Sequence, residues 1–123
     1  MFPELKAAFS KFTGDSLICE GEAIVFDPNT GAFSKFQETV KRKRKHGIEE
    51  AMKEFPLQVF IFDIMYLNGK DLMSLGHEQR RAYVEKVFDK ATSDLIKPID
   101  EKKVTTAKEL DDYFNQNIAA GLE

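Results

Sequence analysis

Cysteine is nearly absent: Cys19 stands alone among 123 residues, which excludes an internal disulfide and any multi-cysteine zinc site. Tryptophan is missing altogether. No apolar run reaches the roughly 20 residues of a membrane-spanning helix, and no signal peptide is recognisable. The chain also has no glycine-rich phosphate loop, no metal-binding Cys/His spacing, no nucleophilic Ser or Cys motif and no internal repeat. A reducing, cytoplasmic setting is the expectation these absences leave, with no membrane partner.

What is present is an ordinary globular composition, 42% hydrophobic and 32% charged, long enough for one domain with one core. Eleven phenylalanines predict a Phe-rich core, with a ring or two left for stacking. Charge is uneven. The net value is −3, but Lys41 to Lys45 (KRKRK) carries five positive charges, so the rest sums to −8. One concentrated basic stretch on an acidic protein suits a local polyanion contact rather than a general nucleic-acid coat.

The organising stretch is Leu57 to Leu67, LQVFIFDIMYL, with a single charge at Asp63. Its composition predicts a strand buried on both faces. A carboxylate there costs several kcal/mol unless paired or hydrogen-bonded. Asp63 therefore either anchors a buried polar network or lines a site. A second strand is predicted over residues 16–27, SLICEGEAIVFD, with Ile18, Glu20, Glu22 and Ile24 on one face and Leu17, Cys19, Ala23 and Val25 on the other. Glu20 and Glu22 are either ordinary acids on a solvent face or a pair aimed into a cleft as metal or hydroxyl ligands. Gly21 between them marks a close approach of another backbone or a ligand.

Helices are predicted over 3–12, 36–45, 48–55, 77–90 and 107–120. The second becomes basic at its end, with Lys41, Arg44 and Lys45 on one side, as a solvated C-terminus or as a phosphate contact. The fourth turns Ala82, Val84, Val87 and Phe88 inward. The last opens with a Thr106–Glu109 capping box, buries Leu110, Tyr113, Phe114 and Ile118, and stops at Gly121. Asp27 to Gly31 and Asn68-Gly69 are turns, and Ala32-Phe33 and Leu95-Ile96 are short strands. The fold class expected is α+β, a mainly antiparallel sheet with flanking helices.

Taken in order, ICEGEAIVFDPNTG, FQETVKRKRK, FIFDIMYLNGKDL, an RR-containing helix and a final AGLE resemble the adenylation (nucleotidyltransferase) domain of ATP-dependent DNA ligases, particularly archaeal ones. The resemblance is collinear and covers nearly the whole chain. The EGE strand is similar to the family's third motif, usually Asp-Gly-Glu. Phe62-Asp63 is similar to the motif on the next long strand, and Glu123 falls where the fourth motif begins. The resemblance implies an ATP-grasp-like domain, of which residues 1–123 are a part, from before the EGE motif to the first residue of the fourth.

It also implies roles. Glu22 holds the ribose of ATP or AMP and helps with metal, Phe62 stacks on adenine, and Glu123 is a metal-associated acid. Lys41, Arg42, Arg44 and Lys45 contact phosphate or DNA backbone, while Glu20 and Asp63 brace the site. The family reaction uses ATP and Mg²⁺, passes through lysyl-AMP and DNA-adenylate, and seals nicked double-stranded DNA. The nucleophile motif Lys-x-Asp-Gly is absent; Lys11-Phe12-Thr13-Gly14 is a near miss, too close to the EGE strand. The expectation is an internal ligase fragment, inactive alone, with no ligand necessarily held by it. The alternatives are a stand-alone non-catalytic nucleotide- or DNA-binding module, and an RNA-ligase or capping-type nucleotidyltransferase, which NGKDL and the RR helix disfavour. Missing flanking strands would expose sheet edges and invite self-association.

Overall fold

The computed structural model describes residues 2–42, 46–89 and 94–122. Among the described residues nine elements follow one another: α1 (Pro3–Phe9), β1 (Leu17–Val25), α2 (Phe36–Val40), α3 (Ile48–Glu54), β2 (Leu57–Leu67), β3 (Lys70–Asp71), α4 (His77–Val87), β4 (Ile96–Pro98) and α5 (Ala107–Ala119). The class is α+β. β2 is the centre of the sheet: β1 pairs antiparallel along one edge, while β3 (antiparallel) and β4 (parallel) share the other.

The two-residue Asn68-Gly69 turn joins β2 to β3. Both residues have positive φ (50° and 84°), as a tight hairpin with right-handed strand twist requires. Asn68 also accepts from the Asp15 amide through Oδ1 at 2.8 Å, tying this turn to the start of β1. Phe26 and Phe33 form only an isolated bridge, so the expected return strand is minimal.

One face of β2 builds the core. Val59, Ile61 and Ile64 pack with Leu72, with Val84 and Phe88 on and just beyond α4, with Ile96 of β4 and with Ala8 of α1. Phe9 meets Phe88 edge-on at 6.4 Å. The other face is covered only in part by described residues: Phe60, with Phe33 against it, is half-buried and Phe62 is exposed, which corrects the expectation of a strand buried on both sides.

Three further expectations are corrected. α2 stops at Val40, so Lys41 and Arg42 lie in a turn rather than on a helix face, and residues 43–45 fall outside the described part. On α4, Ala82 is exposed and Arg81 buried, while Val84 and Phe88 do face inward. Finally, α5 forms with Thr106 Oγ1 accepting from the Glu109 amide, but none of its residues is buried. The Glu109 carboxylate reaches back to the Thr105 amide, one residue earlier than a standard capping box.

Candidate functional site

β1 and β2 do not pair residue for residue. Cys19 lies opposite Ile64, Glu20 opposite Asp63, and Gly21 opposite Ile61, which leaves Phe62 with no partner on β1. A second offset leaves Met65 unpaired in the same way. Each is a bulge that inserts one residue into β2 and reverses its side-chain alternation. In an unbroken strand Asp63 would follow Val59 and Ile61 into the core. The bulge at Phe62 puts Ile64 there instead, with no exposed surface, and leaves both Phe62 and Asp63 outside.

The outer face of the sheet is thus chemically distinct. Leu17, Cys19 and Ala23 of β1 pack toward the core. The intervening Ile18, Glu20 and Glu22 are exposed, as is Phe62, at 39%. Phe60, directly opposite Glu22, is steadied by an edge-to-face contact with Phe33 at 5.4 Å. One surface therefore presents two carboxylates and an accessible ring, the groups suited to hydroxyls and to a planar base.

Glu20 and Asp63 are like charges directly opposite one another, an arrangement that repels. Arg80 of α4 offsets it. Its Nε donates to Asp63 Oδ1 at 2.9 Å and its Nη2 contacts Oδ2 at 3.4 Å, while Nη1 donates to the Leu75 carbonyl at 2.6 Å. Asp63 Oδ1 also accepts from the Ile64 amide at 2.8 Å. The Arg80 hydrogen bond, helped by that amide, holds the Asp63 carboxyl below its ordinary range against a smaller opposing effect of burial. Sequence reasoning did not single out Arg80, and a 17-residue separation along the chain carries no signal for the pair.

A depressed folded-state pKa contributes stability above the unfolded value and loses it as pH falls. The stability advantage of wild type over Asp63→Asn is expected to be full at about pH 5 and above, and to close below about pH 4. Thermal midpoints of both proteins across that range measure it; a gap independent of pH would count against the Arg80 pair.

The basic stretch divides. Lys41 pairs with Glu38 at 2.7 Å on the surface. Arg42 is not a surface cation. Its side chain has no exposed area and is committed to Glu4 of α1 and, at 2.8 Å, to the Phe55 carbonyl. This geometry corrects the expectation of an Arg42 phosphate contact: the chain turns after Val40 and swings the guanidinium under α1. Arg44, Lys45 and Glu123 lie outside the described residues.

Among the described residues no three His, Cys, Asp or Glu side chains gather closely enough to hold a metal ion. Glu20 and Glu22 alone make a partial donor set that needs oxygens from a ligand or from elsewhere in a longer chain. A cleft of about 720 Å³ lies away from this face, between the loop after α1 and the end of α4. Lys11 to Gly14, the near miss to a nucleophile motif, line that cleft, which includes neither Glu22 nor Phe62. No described helix is long and apolar enough to cross a membrane.

Comparison with known proteins agrees with the motif order. The family model described as "ATP dependent DNA ligase domain" matches residues 1–123. The "Probable DNA ligase" of Dictyoglomus turgidum is 44% identical over 126 residues, covering 100% of this chain and 21% of its own length. The "DNA ligase" of Sulfophobococcus zilligii is 40% identical, covering 99% of this chain and 20% of its own length. That of Nitrosopumilus maritimus is 38% identical over 109 residues, 89% of this chain and 18% of its own. The chain thus spans about a fifth of the length of these relatives.

Proposed function

This chain belongs to the ATP-dependent DNA ligase family, and from that premise we propose that residues 1–123 form an internal part of an ATP-grasp-like adenylation domain and supply one wall of its nucleotide pocket. The observation that carries this reading is the bulge on β2, which leaves Phe62 exposed on the same sheet face as Glu20 and Glu22. Bulges recur beside active sites because they re-aim side chains.

In this reading the Phe62 ring stacks on adenine, the Glu22 carboxylate accepts from ribose hydroxyls, and Asp63, fixed by Arg80, keeps the bulge in register. Glu20, on the same strand face, is a supporting acid of the site. The carboxylates of Glu22 and Glu123 would help to hold Mg²⁺, which would supply charge neutralisation at phosphate oxygens. Lys41, Arg44 and Lys45 supply positive charge for the nicked DNA backbone. The reaction served is nick sealing by the full-length enzyme; with no Lys-x-Asp-Gly motif, residues 1–123 bind but do not react. Where copies of the chain associate, the outer edge of β1 is the surface that pairs.

Two measurements test this. Intact mass after incubation with ATP and Mg²⁺ is expected to show no AMP adduct; an adduct would overturn the non-reactive assignment. Saturation-transfer NMR with millimolar AMP is expected to mark the adenine protons. Phe62→Ala is expected to weaken binding about tenfold, within the roughly 1–3 kcal/mol of a base–aromatic stack. Binding unaltered by Phe62→Ala, or no transfer to wild type, would sink the pocket assignment.

A further inference from the structure

Leu110, Phe114 and Ile118 recur every four residues along α5, so they form one continuous stripe, and they are 55%, 62% and 51% exposed. A 13-residue helix is marginal in water on its own and ordinarily gains its stability by burying such a stripe. Here the helix is positioned without being packed. Glu101 pairs with His77, and Lys103 with Glu78, holding the preceding segment against the start of α4. Lys102 lies over the Tyr113 ring at 5.5 Å. The stripe itself meets no cover among the described residues.

Charge and area narrow what covers it. α5 carries Lys108 against Glu109, Asp111 and Asp112, a net −2 that phosphate backbones and anionic lipid surfaces repel. The three side chains expose on the order of 300–400 Å², against about 800 Å² per partner in a stable interface, so two copies meeting stripe to stripe bury too little. The relatives, by contrast, carry about four-fifths of their length beyond the matched part. We propose that α5 is an intramolecular docking helix whose Leu110–Phe114–Ile118 stripe seats in an apolar groove of the same ligase polypeptide, outside residues 1–123. The proposal rests on family membership and not on the nucleotide-binding role.

The test uses Leu110→Ala/Phe114→Ala/Ile118→Ala, which preserves helix propensity. In the 123-residue chain it is expected to leave the thermal midpoint and sedimentation coefficient unchanged. In a chimera where residues 1–123 replace the matching fifth of the Dictyoglomus turgidum ligase, the triple change is expected to lower the midpoint by about 10 °C or more. Amides of Ala107–Ala119 are expected to exchange at least about tenfold more slowly in the wild-type chimera than in the chain alone. Equal exchange in both settings overturns the proposal, as does an unchanged chimera midpoint. An oligomer of the 123-residue chain that the triple change dissolves assigns the stripe to a second copy and also overturns it. Midpoint and exchange are read without ligase activity, so a failed nucleotide site leaves this test intact.

Discussion

Arg42→Ala is expected to lower the unfolding free energy by about 3–5 kcal/mol, the cost of removing one partner from a buried ion pair. The Arg42 side chain has no exposed surface and that of Glu4 only 15%. Alanine strips the Glu4 carboxylate of its counter-charge and the Phe55 carbonyl of this donor at 2.8 Å. The contact also spans 38 residues and joins α1, the turn after α2 and the end of α3. Those helices are short, and α1 and α3 each bury only one alanine, Ala8 and Ala51, so little apolar area replaces the lost link. Arg42→Lys is expected to recover little, because one ammonium cannot serve two acceptors in the guanidinium's fork geometry.

The pair is not perfectly satisfied. Glu4 Oε2 and Arg42 Nε are buried without hydrogen-bond partners among the described residues. Desolvation therefore offsets much of its attraction, and Glu4→Leu/Arg42→Met is expected to recover at least half of the loss. Urea unfolding at neutral pH measures all four proteins. A loss below about 1 kcal/mol for Arg42→Ala would show that the pair is solvated and contributes like a surface bridge.

Arg42 also shows where the sequence stops being informative. Five adjacent cations read as a solvated or phosphate-binding run, because composition says nothing of a carboxylate 38 residues earlier. The same holds for Asp63 and Arg80. Burial cost made clear that Asp63 needs a partner, but only the folded chain brings Arg80 to it. Local signals did better. Asn68-Gly69 was legible as a turn because positive φ at both positions restricts residue choice, and Thr106 as a cap because its hydroxyl replaces a missing helical acceptor. β1 was legible from alternation and β2 from its nearly continuous apolar composition, but not their bulges, since an inserted residue changes pairing without changing composition. The α5 stripe was read correctly as apolar. What failed was the assumption that its cover lay within these residues.

Gly21→Ala is expected to cost about 2–3 kcal/mol, at the upper end of ordinary overpacking. A Cβ at Gly21 would stand 2.5 Å from the Phe60 carbonyl oxygen, 2.7 Å from Ile61 Cδ1 and 3.3 Å from Ile61 Cα. A rotamer change can clear the Ile61 side chain but not the backbone oxygen, so β1 and β2 must separate locally. That separation falls beside the Phe62 bulge, in the register that leaves Phe62 exposed and Asp63 within reach of Arg80. The flanking acids behave oppositely. Glu20→Ala and Glu22→Ala remove exposed carboxylates with no packing role and are expected to change stability by less than about 0.5 kcal/mol. The three substitutions thus separate what the strand needs to fold from what it offers a ligand. If Gly21→Ala unfolds no more easily than Glu22→Ala, the close approach of the two strands is not what requires glycine. If Glu22→Ala is as destabilising as Gly21→Ala, the carboxylate serves the fold and its assignment to the nucleotide fails with it.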